Sequence, residues 1–268
     1  MSVLVLKLVL TPVLIAGATL VQRRYGPRAG GLLVGLPLTS GPVAFFLAVE
    51  QGESFAAASA RGTIAGLASE AAFVLVYAAV ASQPAAARRR GAARRAAWPC
   101  ALATAVAAFA AATALLRLVP LPLVPTYAGV IAVLAVARLP LPDEPVEAVA
   151  RRAPRWDLPA RIVVATGLVL ALTALADSLG AKLTGLVSPF PIYAGVLAVF
   201  THAVDGPRAT AGLLHGVLTG LFAFATFFLV LGAVLEDLGI AASFVAATAA
   251  ALAVQALTTR RARRRSRA

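Results

Sequence analysis

The sequence predicts an all-α protein, a polytopic bundle of about nine transmembrane helices, on three observations. Sixty per cent of its 268 residues are hydrophobic and only 13% are charged, against roughly 25% charged in a soluble domain; mean hydropathy is +0.89. The apolar residues form long continuous runs. A closed barrel, the other structure able to span lipid, needs short segments of alternating polarity. Basic residues gather after alternate runs, which is how membrane orientation is encoded.

The runs cover 2–22, 30–50, 56–82, 97–117, 119–138, 159–180, 183–204, 209–234 and 239–258. Each is close to the roughly 20 residues that a spanning helix needs. The first contains a signal-like Ala16 and Ala18 pair, but its basic residues, Arg23 and Arg24, follow the apolar stretch. That order is the reverse of a signal peptide's, so a retained first helix is expected. Only Pro120, Pro122 and their neighbours separate the fourth run from the fifth, and the count of nine depends on that turn.

The formal charge is +13, and its distribution orients the chain. Arg23, Arg24 and Arg28 follow the first run, and Arg88, Arg89, Arg90, Arg94 and Arg95 follow the third. Arg138, Arg151, Arg152 and Arg155 follow the fifth, and a run of arginines from Arg260 to Arg267 follows the ninth. With nine spans all four clusters share one side. The opposite loops carry Glu50 and Glu53, Asp177 with Lys182, and Glu236 with Asp237. The positive-inside rule then puts the N-terminus outside and the C-terminus in the cytoplasm. Topology accounts for the charge, so the expected partner is the lipid bilayer and not nucleic acid. Cys100 is the sole cysteine, which excludes an intrachain disulfide and a cysteine metal site. No metal or cofactor is expected, and the oligomeric state is not encoded.

The chain repeats itself at an offset of 154 residues: Gly31, Pro37, Gly41, Gly52, Gly62 and Gly66 fall on Gly185, Pro191, Gly195, Gly206, Gly216 and Gly220. Coincident Gly and Pro are informative because they punctuate backbone shape. Residues 1–118 form a first four-span repeat, 119–158 a connecting span and basic loop, 159–258 a second four-span repeat and 259–268 a basic tail. The basic loop 83–96 has no counterpart. A shift of five spans reverses orientation, so an inverted-topology repeat is predicted, a plan common among secondary transporters.

The second and seventh helices are predicted to be broken, at Gly35-Leu-Pro37-Leu-Thr39-Ser40-Gly41-Pro42 and at Ser188-Pro189-Phe190-Pro191. Proline removes a backbone donor and clashes with the preceding turn. Paired interruptions in two halves point to a transporter's binding site. Pro37, Thr39, Ser40 and Gly41 in one break, with Ser188, Pro191 and Tyr193 in the other, are the candidate solute-binding residues. Hydroxyl residues ahead of proline suit a helix start, and a half-helix beginning near the midplane aims its positive end at an anion. Pro125-Thr-Tyr-Ala-Gly129 echoes the second break and is a candidate third kink.

Glu70 lies near the middle of the third run, on one face with Gly66, Gly62 and Ser59. An intramembrane carboxylate is costly and marks function; it is the candidate for proton coupling or for a structural ion pair. Arg61 lies about half a turn round and is not expected to pair with it. Arg61's repeat counterpart is His215, flanked by Gly212, Gly216 and Gly220, a ridge that lets helices approach closely. His215 either titrates or serves as an interhelical hydrogen bonder. His202, near the cytoplasmic end of the seventh run, is explained equally well by function or by interface solvation. No H-E-x-x-H, G-x-S-x-G or P-loop is present, and an enzyme is not expected.

The segment Thr184-Gly-Leu-Val-Ser-Pro-Phe-Pro-Ile-Tyr-Ala-Gly195, followed by Val199-Phe-Thr-His202, resembles the GlpM-like small bacterial inner-membrane proteins over the second half of the chain. It departs from them at Tyr193 and Ala194. The resemblance implies a bacterial cytoplasmic-membrane location. The expected function is a secondary transporter for a small, anionic solute, coupled to protons. The alternative is a non-transporting scaffold or accessory membrane protein.

Overall fold

The computed structural model describes residues 2–38, 40–82, 97–120, 122–141, 154–176 and 189–265. Every regular element among them is a helix: α1 (Ser2–Tyr25), α2 (Pro27–Val34), α3 (Ser40–Gln51), α4 (Glu53–Ser82), α5 (Trp98–Leu116), α6 (Leu123–Ala137), α7 (Asp157–Ala176), α8 (Ile192–Val204) and α9 (Pro207–Arg265). Gly239, at φ 73° and ψ 173°, divides α9 into two arms. Three helical stretches are long and apolar enough to cross a membrane: Glu53–Ser82, Trp98–Leu116 and Pro207–Arg260. An all-helical chain of this kind is compatible with a membrane protein.

Each of the nine apolar runs holds at least part of a helix. α2 and α3 share the second run, and the arms of α9 take the eighth and ninth. The tight turn between the fourth and fifth runs separates two helices, with Pro122 extended (φ −65°, ψ 138°) ahead of Leu123. Prolines at 120 and 122 bar the residues before them from helical dihedrals. Pro125 falls in the first turn of α6, where its missing donor costs nothing. The third kink suggested by the sequence is therefore a helix start. The basic loop 83–96, Thr39 and Ser188 lie outside the described residues.

Long-range contacts fix relative directions. Arg23 at the end of α1 meets Asp157 at the start of α7, so these helices are antiparallel. Thr11 meets Tyr193, and Gln22 meets Thr201, so α1 and α8 are parallel. α6 runs against the first arm of α9: Leu123 lies by Gly232, Tyr127 by Thr226 and Arg138 by His215. Ala57 and Ala60, early in α4, also meet Gly232. Late in α4, Tyr77 meets His202, close to where α9 begins. α4 and the first arm of α9 are thus antiparallel as well. Gly52 (φ 91°) separates α3 from α4, and Gly206 (φ 92°) separates α8 from α9. This left-handed backbone is open to glycine without a Cβ clash.

The closest helix contact pairs α2 with the first arm of α9, side by side and parallel. A methyl group on Gly31 would overlap the Leu213 carbonyl oxygen; one on Gly35, the Val217 oxygen; one on Gly216, the Arg28 oxygen. At Gly220 it would lie 2.7 Å from the Cα of Gly35. Small residues admit backbone against backbone here, as in helix pairs within lipid. Gly216→Ala is expected to lower the thermal midpoint of the detergent-solubilised protein, at an overpacking cost of about 1–3 kcal/mol. Gly129→Ala, where nothing lies within 4 Å of the added methyl, is expected to leave the midpoint unchanged. Equal midpoints for the two variants would contradict the packing described.

Candidate functional site

The two breaks share a backbone geometry that proline imposes. In the first, Leu38 N–H donates to Leu36 O (2.8 Å) and Gly41 N–H to Pro37 O (2.9 Å). In the second, Ile192 N–H donates to Phe190 O (2.8 Å) and Gly195 N–H to Pro191 O (2.7 Å). These four donors and four acceptors correspond one to one at the 154-residue offset. A bond from i+2 back to i is an inverse γ-turn. Pro191, at φ −79° and ψ 60°, has its φ preset by the ring. The turn corrects one expectation: α8 begins at Ile192, not at Pro189. Phe190 precedes a proline and is excluded from the helix, so Pro191 becomes the cap residue.

The breaks also make reciprocal contacts. A Cβ on Gly41 would lie 3.4 Å from Phe227 Cζ, and one on Gly195 would lie 3.6 Å from Phe73 Cζ. Gly41 corresponds to Gly195, and Phe73 to Phe227, at the same offset. Contacts that exchange partners in this way are the mark of a two-fold operation.

Beside the first break lies a narrow cleft of about 20 Å³, room for about one water molecule. Leu36 and Leu38 of the first break, Tyr193 in the first turn of α8, Leu33 of α2, and Leu14 and Ala18 of α1 line it. The Tyr193 hydroxyl is 2.9 Å from Thr11 Oγ1. Of the candidate binding residues, Tyr193 lines this cleft; Pro37, Ser40 and Gly41 lie at the start of α3, and Pro191 at the start of α8. First-turn amides at such starts have no intrahelical acceptor and present positive dipole ends.

Glu70 stands apart from this cleft in its bonding. It is 6% exposed and has no hydrogen bond or ion pair among the described residues. Its neighbour Ser69 accepts a hydrogen bond from Thr113 at 2.9 Å. Arg61 is half-buried and does not pair with Glu70. At the 154-residue offset Glu70 falls on Phe224, itself buried.

The two histidines are engaged. Arg28 Nη2 and Arg138 Nη2 approach His215 Nε2 at 3.3 and 3.2 Å. A guanidinium only donates, so Nε2 is the acceptor in these contacts. This contact ties α2 and α6 to α9. His202 is fully buried, with Nδ1 3.3 Å from Tyr77 Oη; interface solvation does not account for it. Sequence reasoning read Arg28 and Arg138 only as topology signals, and nothing in the sequence distinguishes them from the other loop arginines. It also missed Asp157 and Arg161, each at most 3% exposed, although their i,i+4 spacing was visible. Asp157 takes the Arg161 Nε donor at 3.1 Å and an Arg23 donor at 2.9 Å. Among the described residues no cluster of three His, Cys, Asp or Glu could hold a metal.

Removing Asp157 leaves Arg161 charged and buried without its carboxylate, a loss of about 3–5 kcal/mol for a buried pair. Asp157→Asn is expected to lower the thermal midpoint by more than Arg208→Gln, a change at an exposed position. A midpoint equal to wild type would show that the ion pair carries no net stability. Compared with protein-family models, curated proteins and solved structures, the sequence matches none.

Proposed function

We propose that this chain is a nine-span secondary transporter of a bacterial cytoplasmic membrane, N-terminus outside and C-terminus inside, built from two inverted repeats around a small-solute site at the paired breaks. The observation that carries the reading is the congruence of the two breaks: the same γ-turn and the same i,i+4 closure at corresponding residues, with exchanged glycine–phenylalanine contacts. Single proline kinks are ordinary in membrane helices; matched interruptions in two halves are not. The antiparallel pairs α1 with α7 and α4 with the first arm of α9 support inversion. A two-fold axis relating antiparallel helices lies across them, hence in the plane of a membrane they span.

The solute is anionic, on the strength of the two helix starts beside the cleft. Glu70 supplies proton coupling, because a carboxylate buried without a partner is expensive to hold charged. The GlpM-like resemblance supports the location. A second reading, a non-transporting scaffold or accessory protein, is favoured by the way His202, His215 and Asp157 are all spent on partners within the bundle.

A deletion strain should lose uptake or efflux of at least one small anion across a broad solute panel. The wild-type chain should restore it, and Glu70→Ala, checked for insertion, should reduce it at least tenfold. Preference for cationic competitors would overturn the anion assignment. No solute phenotype, together with loss of a stable protein complex in the deletion strain, would favour the scaffold.

A further inference from the structure

We infer that the junction of α1, α7 and α8 is a gate, closed in this structure, between the cleft beside the first break and the end of the bundle where Arg23 meets its surroundings, and that Arg23 is its detachable member. The inference rests on the proposed solute site and deepens it by naming how one side of that site is shut.

Three contacts tie the three helices pairwise, close to one level. Arg23 Nη2 donates to Asp157 Oδ2 at 2.9 Å, joining α1 to α7. Gln22 Nε2 donates to Thr201 Oγ1 at 2.8 Å, joining α1 to α8. The Arg161 guanidinium carbon lies 5.3 Å from the centre of the Phe200 ring, joining α7 to α8. Leu14 and Ala18 of α1 and Tyr193 of α8 line the cleft, and α1 and α8 run on from there in the same direction. Gln22 is one turn beyond Ala18, and Thr201 is about two turns beyond Tyr193. The ring of contacts therefore stands between the cleft and that end of the bundle.

The charges are arranged for release. The side chains of Asp157 and Arg161 are 1% and 3% exposed, whereas that of Arg23 is 40% exposed. Asp157 and Arg161 lie one turn apart on the same helix, so their pair persists when Arg23 leaves. Breaking a buried pair is costly because it strands a charge; releasing Arg23 strands none. Arg23 gives up one carboxylate at a boundary where its guanidinium is already accessible, and ion pairs there are weak.

Behind the ion pair the seam is polar. Thr19 Oγ1 and Gln22 Oε1 on α1, and Arg161 Nη1 on α7, are buried and have no hydrogen-bond partner among the described residues. Arg23 and Asp157 face each other on antiparallel helices, so Thr19, one turn back on α1, is level with Arg161, one turn on along α7. One turn deeper, the same register sets Ile15 level with Ala165, both fully buried and apolar. The seam at Thr19 and Arg161 instead presents groups whose remaining partner is water. Parting α1 from α7 hydrates them, which offsets the loss of the Arg23 bond.

The test uses the full chain in membrane vesicles of either orientation and no solute. Cys100→Ser removes the sole cysteine, and single cysteines are then introduced for a membrane-impermeant thiol reagent. Thr19→Cys, at a position 1% exposed, should react slowly. Adding Arg23→Gln should raise its rate about tenfold, the weight of one charge-assisted hydrogen bond, and only from the side on which Tyr25→Cys reacts. Arg23→Lys, which keeps the charge, should leave the rate close to that of wild type. Ala18→Cys, on the cleft itself, is a second reporter with the same expectation, should Thr19→Cys fold poorly. Ser243→Cys, fully buried in the second arm of α9, should stay unreactive throughout. Equal protection of both reporters with and without Arg23→Gln would overturn the gate and leave a junction that holds a fixed water only. Labelling of Ser243→Cys alongside them would overturn it as well, because the chain would be unfolding and not opening. A junction that opens in a chain with no solute phenotype would sink the transport reading alone.

Discussion

Everything near the paired breaks depends on how closely α2 lies against the first arm of α9. Four glycines, Gly31, Gly35, Gly216 and Gly220, put two backbones in direct contact. Carbonyl oxygens of Arg28, Leu213 and Val217 sit where any other residue would place a side chain. Close approach of this kind gathers dispersion and weak Cα–H···O contacts along the interface, each worth about 0.5–1 kcal/mol. It also fixes consequences at both ends of α2. At its start, Arg28 is drawn near enough to reach His215. At its end, Gly35 delivers the chain into the first break against Gly220.

A broken helix frees polar backbone groups, and the breaks deal with them economically. Each proline removes a donor, and the γ-turn around it uses the next amide on the carbonyl just before it. The proline's own carbonyl then accepts the amide four residues on, which starts the following helix. Phe227 packs by Gly41 and Phe73 by Gly195, each glycine four residues after its proline.

Backbone-determined features were legible in the sequence: the apolar runs, the turn at Pro120 and Pro122, both breaks and the glycine ridge. Proline and glycine act locally, so their effect survives any tertiary context. The start of α8 was misread by three residues, because Ser188-Pro189 looks like a helix start until Phe190 is recognised as trapped between two prolines. The side chains were harder. Arg28 and Arg138 carry the same signal as the other arginines that follow apolar runs, and only folding shows that they converge on His215. His202 sits near the end of a run, where sequence position implies solvent; the contact with Tyr77 is 125 residues away in sequence.

The distribution of polar partners separates two kinds of residue that look alike in a hydropathy profile. His202, His215, Asp157 and Arg161 gather towards one end of the bundle and are bound to one another's helices. They join α1 to α7, α2 and α6 to α9, and α4 to α8, and their interactions are spent within the protein. Glu70 is different: it is buried within α4 and has no hydrogen bond or ion pair among the described residues. A carboxyl whose only role was to hold helices together would have a partner, and a chain under no functional demand loses nothing by placing an apolar residue there, as it does at Phe224. The 154-residue offset that aligns the two breaks thus sets a buried carboxyl at Glu70 against a buried ring at Phe224.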